Sequence, residues 1–235
     1  MVECAGCNIY APRVKWHLLV GVPDDEVKRL LSVARRRVFS RGEVVFHLGD
    51  PADSLHLVAR GRFAIRVRNG RGDAVMLAVR GPGDNFGEMA LVDPGASRAA
   101  TVVALEAAET FAVYRDEFER LRRLHPAVND ALTAFLVGEV RMLNARLLES
   151  LFVSADRRVL RRLHELAELY SDGSSPVEVP FTQNDLAELA GTTRTTVNRA
   201  LRNGEERGVL ELRRGRTIVL DVAALDQRAV ASPAR

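Results

Sequence analysis

The hydrophobic rhythm of the chain changes along its length. Between about Arg13 and Ala34 it is helical: Pro23-Asp24-Asp25-Glu26 reads as a helix start, and Val27, Leu30, Leu31 and Ala34 then share one face. From Val38 the period shortens. Val44-Val45-Phe46, Leu55-His56-Leu57-Val58, Phe63-Ala64-Ile65-Arg66-Val67 and Ala74-Val75-Met76-Leu77-Ala78-Val79 are short apolar or β-branched runs, with Gly42, Gly49, Gly61, Gly70, Gly72, Gly81 and Gly83 between or beside them. Short strands at near-even spacing predict a β-sandwich or roll. Arg68-Asn69-Gly70-Arg71-Gly72-Asp73 carries Asn-Gly, a hairpin signal. Strands resume at Thr101-Val102-Val103 and Thr110-Phe111-Ala112-Val113-Tyr114.

After Tyr114 the pattern turns helical again. Over roughly Ala127–Val153, Leu136, Val140, Leu143, Leu147 and Leu151 recur three and four apart. That spacing makes a helix with an apolar seam, packed either on its own domain or on a second helix of the same kind. Ser154-Ala155-Asp156 reads as a hinge, with Asp156 able to cap a helix that starts at Arg157. Thr182 and Asp185 form a capping-box-like pair, Leu186 and Leu189 give a short helix its buried side, and Gly191 permits a sharp turn. Thr193 can cap a second helix on which Val197 and Leu201 face inward. Two helices joined this tightly are a helix-turn-helix. Its second helix projects Arg194, Thr195, Asn198, Arg199 and Arg202 outward. Val209–Leu212 and Thr217–Leu220 flank Arg213-Arg214-Gly215-Arg216 and predict a basic hairpin wing; the tail from Val230 to Arg235 is expected to fray. The expected organisation is a helical segment and roll over 1–126, a long helix over 127–153, a hinge over 154–156 and a winged helix-turn-helix over 157–235.

Composition adds little to this. At 235 residues there is room for one or two domains, and a net charge of +3 with a pI near 9.2 leans weakly toward a polyanionic partner. No apolar run approaches the ~20 residues of a membrane span, and Met1-Val2-Glu3-Cys4 lacks the character of a signal peptide, so the chain reads as cytoplasmic with no membrane partner. Cys4 and Cys7 have the spacing of half a zinc site or of a redox pair, but there is no other cysteine, and the bland reading is a reduced terminal tail. No metal site is expected. His17, His47, His56, His125 and His164 are scattered, and no nucleophile, base and orienting group cluster locally, which argues against an enzyme.

The most informative chemistry lies between Gly83 and Ala104. Phe86-Gly87-Glu88-Met89-Ala90-Leu91 offers a flexible backbone and a carboxylate, and Arg98-Ala99-Ala100-Thr101-Val102 offers a guanidinium. Asp93-Pro94-Gly95 turns between them. A phosphate suits a planar fork of donors, and a sugar hydroxyl suits an acceptor. One small ligand carrying both would satisfy both charges; the alternative is a buried Glu88–Arg98 ion pair in a ligand-free roll.

This segment resembles the phosphate-binding cassette of cyclic-nucleotide-binding domains. The resemblance implies that Glu88 accepts from the ribose, that Arg98 binds the cyclic phosphate, and that Gly87, Met89 and Ala90 supply close backbone approach, with Phe86 and Ala99 flanking them. Many bacterial members carry Ser or Thr where this chain has Ala99; the Arg-Ala-Ala-Thr run is instead similar to the regulatory subunits of cyclic-AMP-dependent protein kinase. The helix-turn-helix resembles the same regulators, the catabolite activator or cyclic-AMP receptor family of the Crp/Fnr superfamily, so the likeness covers nearly the whole chain. It implies an α+β fold: an N-terminal cyclic-nucleotide-binding β-roll, a long dimerisation helix and a C-terminal winged helix-turn-helix.

In that family a polar residue of the long helix reaches the purine. Leu143 and Asn144 fall at those places, and only Asn144 can hydrogen-bond a base. The resemblance further implies that Arg194 and Arg199 read guanine edges, that Thr195 replaces a glutamate that accepts from cytosine, and that Thr193 and Thr196 meet phosphates. Beside such a motif, Arg214 and Arg216 of the wing become candidates for backbone phosphate. The implied protein is a homodimeric transcription regulator on a near-palindromic double-stranded DNA site. It has no cofactor, cyclic AMP is its allosteric ligand, and RNA polymerase is a candidate further partner. The alternative is the same architecture binding DNA without a nucleotide, or under another effector.

Overall fold

A computed structural model describes residues 14–68, 70, 74–92, 95 and 97–230. Cys4, Cys7, Asp93, Pro94, most of the Asn69–Asp73 turn and the last five residues lie outside the described residues. In chain order the elements are α1 (Asp24–Val33), β1 (Arg35–Phe39), β2 (Val44–Phe46), β3 (Ser54–Arg60), β4 (Phe63–Arg68), β5 (Ala74–Arg80), β6 (Asn85–Phe86), α2 (Met89–Val92), β7 (Thr101–Ala104) and β8 (Ala108–Tyr114). They continue with α3 (Arg115–Leu124), α4 (Ala127–Phe152), α5 (Ala155–Tyr170), β9 (Val177–Val179), α6 (Gln183–Ala190), α7 (Arg194–Glu206), β10 (Leu210–Arg213), β11 (Arg216–Val219) and α8 (Val222–Val230).

The predicted roll is two four-stranded sheets, ordered β1-β8-β3-β6 and β2-β7-β4-β5. Strand β3 shows how alternation divides its faces. Leu55, Leu57 and Ala59 join Phe111 and Val113 in a core with Trp16 and with Leu30, Phe118, Leu121, Val128 and Leu132 of the flanking helices. Ser54 and His56 point the other way, toward Phe46 and Phe86. The register sets His56 opposite both Ala112 and Phe86, which holds the start of the predicted cassette against the centre of β3.

The chain divides into two compact units, Met1–Ala64 with Arg80–Val137 and Ile65–Val79 with Gly138–Arg235. The division falls inside α4, because its first turns bury Val128 and Leu132 in the helical core of the first unit. Most of β4 and β5 goes with the second unit. There Arg66 Nη2 donates to Asp185 Oδ1 at 2.7 Å, its Nε lies 3.0 Å from Glu188 Oε2, and Arg146 donates to the Leu77 carbonyl.

In the second unit α5 is the buried helix, carrying Val159, Leu163, Leu166 and Ala167 inward. Helices α6, α7 and α8 pack around it beside the sheet β10-β11-β9. Helix α5 starts at Ala155, and its N-cap is Ser154, with no side-chain cap bond. The expected cap at Asp156 is therefore not made; its carboxylate is bonded elsewhere.

Candidate ligand-binding site and nucleic-acid interface

Arg98 sits in the first unit with 5% of its surface exposed. Its backbone is pinned on both sides: its N–H donates to the Asp50 carbonyl and its carbonyl accepts from the Gly49 N–H, each at 2.8 Å. The guanidinium is therefore aimed by the β2–β3 connection. Nη1 donates to the Ser54 carbonyl at 2.6 Å and Nη2 to Ser54 Oγ at 3.2 Å, while Cζ stands 4.1 Å from the centre of the Phe46 ring. The nearest recorded carboxylate contact is Asp53 Oδ1 at 3.6 Å, on a side chain largely open to solvent. Nε is buried with no hydrogen-bond partner. Burial weakens the hold of Arg98 on its proton, and Asp53, Asp50 and Glu88, in that order, oppose the effect. A buried cation with an orphaned donor is costly unless something anionic completes it. The site is thus chemically suited to a phosphate-bearing ligand.

Gly87 is required on this wall. Its φ is +83°, and a Cβ there would meet Arg98 Nη1 at 2.7 Å and the Ser54 carbonyl at 3.2 Å. Phe86 is buried, Glu88 half-buried, and Met89 and Ala99 exposed. These cassette residues and Arg98 are in the first unit; Leu143 and Asn144 lie on the part of α4 that belongs to the second.

Sequence reasoning misses Asp53, Ser54 and His56. They precede the cassette by some thirty or more positions; the β3–β6 register brings His56 to it, and the backbone pairing of Gly49 and Asp50 with Arg98 brings Asp53 and Ser54. His56 Nδ1 lies 3.0 Å from Thr110 Oγ1, and the ring stacks on Phe86 with centroids 5.0 Å apart. Burial first, then the Arg98 charge, push its pKa down to about 3, so it is neutral beside the cation.

The helix-turn-helix forms as its sequence predicts. Thr182 and Asp185 complete a capping box on α6, Gly191 ends it at φ +58°, and Thr193 Oγ1 accepts from the Thr196 N–H to cap α7. Val197, Ala200 and Leu201 are buried on α7, which leaves Arg194, Thr195, Asn198, Arg199 and Arg202 exposed. Thr193 is also exposed, and Thr196 is half-buried. Arg158 fastens the start of α5 to the turn, donating to the carbonyls of Val153, Ala190 and Gly191 at 2.9–3.1 Å.

The arginines predicted to face DNA divide by partner. Arg199 is bonded to Asp156 at 2.8 Å, Arg202 to Glu205 at 3.0 Å and Arg216 to Glu178 at 2.9 Å. Arg194 and Arg214 have no ion-pair partner among the described residues, and both line a cleft of about 540 Å³ between α7 and the wing, with Gln183, Asn184 and Asn198. Among the described residues, no group of three or more His, Cys, Asp or Glu is placed to hold a metal, and no helix is long and apolar enough to cross a membrane.

Residues 36–125 match the cyclic nucleotide-binding domain, and residues 157–228 match the Crp-like helix-turn-helix domain. The chain is 35% identical over 210 residues to the cyclic AMP receptor protein of Thermus thermophilus, an alignment covering 89% of this chain and 95% of that one. It belongs to the Crp/Fnr family of transcription regulators. A CRP-like cAMP-activated global transcriptional regulator of Mycobacterium tuberculosis is 29% identical over 212 residues, covering 89% and 94% of the two chains. The fold is also that of the c-di-GMP responsive regulator CLP of Xanthomonas campestris, with a TM-score of 0.73 at 23% identity over 85% of this chain and 99% of that one. As a Crp/Fnr protein, the chain is a DNA-binding regulator and not an enzyme.

Proposed function

We propose that this Crp/Fnr protein is a homodimer switched by cyclic AMP, and that the ligand's cyclic phosphate is taken by Arg98. The observation that carries this reading is the buried Arg98 fork with its unpartnered Nε, walled by Gly87 and attended by Glu88. The 35% identity to a protein named for cyclic AMP supports the choice of nucleotide. The dimer is supported by α4, whose Val140, Leu143, Leu147 and Leu151 are each about half or more exposed, a continuous apolar row that a second copy would cover. In the dimer the two copies of α7 meet a near-palindromic duplex one helical turn (~34 Å) apart. Arg194 and Arg199 read guanine; Thr193, Thr196, Arg214 and Arg216 hold phosphates. Nucleotide acts by favouring the conformation competent for DNA, which requires unequal affinity for the two states.

A second reading keeps the pocket and changes the effector. It is favoured by Leu143, an apolar side chain at a place where a purine contact would need a donor or acceptor, and by Ala99, which brings no hydroxyl to the phosphate. Equilibrium binding of labelled cyclic AMP and cyclic GMP to the full chain, with Arg98→Ala as control, separates the readings. Saturable binding of cyclic AMP that is lost in the variant is the expected result. Affinity unchanged by the substitution would refute the role given to Arg98.

A further inference from the structure

Asp156 stands at a junction that neither the fold nor the effector pocket explains. It lies in the first turn of α5, next to the Ser154 cap, yet its carboxylate is not used for capping. Oδ1 accepts from Arg199 Nη2 at 2.8 Å, across 43 positions of sequence. The two side chains are 42% and 69% exposed, so the pair sits on the open face of the domain and adds little to folding. Its place is nonetheless fixed. Two residues on, Arg158 ties α5 to the carbonyls that end α6, and so to the turn from which α7 starts.

From this arrangement we infer that Asp156 is a positioning residue for base discrimination, acting through Arg199. The inference rests on the reading of Arg199 as a guanine contact. A guanidinium has five N–H donors, and a bidentate guanine contact uses two parallel ones. One bond to Asp156 leaves enough donors to hold the carboxylate and a guanine edge together. A free arginine loses rotamer entropy when it is fixed, and a side chain already held loses less on binding. The carboxylate also repels phosphates, which lowers sequence-independent affinity. Both effects push in the same direction. Asp156 gives up some total affinity and raises the ratio of guanine-bearing to other sites.

The test uses the full chain and a duplex first selected from random sequence, then varied one base pair at a time, with competition binding measured with and without saturating cyclic AMP. Asp156→Asn, which keeps the shape and removes the charge, tightens binding to an unrelated duplex about two- to fivefold. It lowers the guanine preference at one base pair of each half-site about three- to tenfold and leaves the other positions alone. That base pair is the one at which Arg199→Ala abolishes the preference. In the Arg199→Ala background, Asp156→Asn leaves the base preferences where they were. Asp156→Glu retains at least part of the discrimination, which separates loss of charge from a disturbed hinge. A guanine preference unchanged in Asp156→Asn, or lowered equally at all positions, overturns the proposal. If Arg199→Ala itself leaves every preference intact, the base-reading assignment has failed and the proposal falls with it.

Discussion

Arginine does opposite work in the two units. In the roll, Arg98 is almost wholly desolvated, its nearest recorded carboxylate contact is 3.6 Å away, and one of its nitrogens is unsatisfied. On the second unit, Arg199, Arg202 and Arg216 are exposed and each rests on a carboxylate at 2.8–3.0 Å. A buried cation without full pairing is expensive, so an anionic ligand that completes it gains a large, localised interaction. An exposed pair is worth little, so a polyanion can displace those of Arg202 and Arg216 at small cost. The contrast teaches that one pocket arginine should dominate effector binding, whereas DNA binding should be shared among many.

Substitutions can break that contrast. The largest expected effect is at Arg98: Arg98→Ala lowers cyclic AMP affinity about 100-fold, and Arg98→Lys, which keeps the charge but not the planar fork, falls between the two, as read by calorimetry. If Arg98→Lys matches the original chain, charge alone suffices and the fork is irrelevant. Next comes Arg194→Ala, on the exposed helix and without an ion-pair partner. It costs about 1–3 kcal/mol of discrimination at one base pair, measured by competition among single-base variants.

His56 gives a smaller, pH-dependent effect. Its folded pKa, about 3, lies below the ordinary value of 6.5, so the unfolded chain takes up this proton first as pH falls. The stability it contributes is complete above pH 6.5 and is lost progressively between pH 6.5 and about 3, at up to about 1.4 kcal/mol per pH unit. Denaturant unfolding of His56→Phe should be flatter than that of the original chain across that window. Parallel curves would mean that His56 is not held neutral. The smallest effect is at the wing. Arg216, which must leave Glu178, contributes less to DNA affinity than the unpartnered Arg214: Arg216→Ala weakens all sequences about twofold, Arg214→Ala more, and the salt slope falls by about one in the latter.

What could be read from the sequence follows how local each signal is. The capping box at Thr182 and Asp185, the turn at Gly191 and the Thr193 cap depend on residues within a few positions of each other, and the structure has all of them. Strand β1 was hidden because Arg35, Arg36 and Arg37 break the apolar pattern; they are tolerated at a sheet edge, where Arg36 pairs with Glu109 across 73 positions. Asp53 and Ser54 are invisible as pocket residues because only long-range backbone bonds, from Gly49 and Asp50 to Arg98, carry them there. Asp156 was legible as a helix-start residue, but nothing local reveals that its carboxylate turns to Arg199.

The most direct test of the switch is the affinity of the full chain for its selected duplex, titrated by gel shift with and without cyclic AMP, alongside Arg98→Ala. The account predicts that the nucleotide tightens binding at least about tenfold in the original chain and has no effect in the variant. Equal affinity with and without nucleotide in the original chain would contradict it.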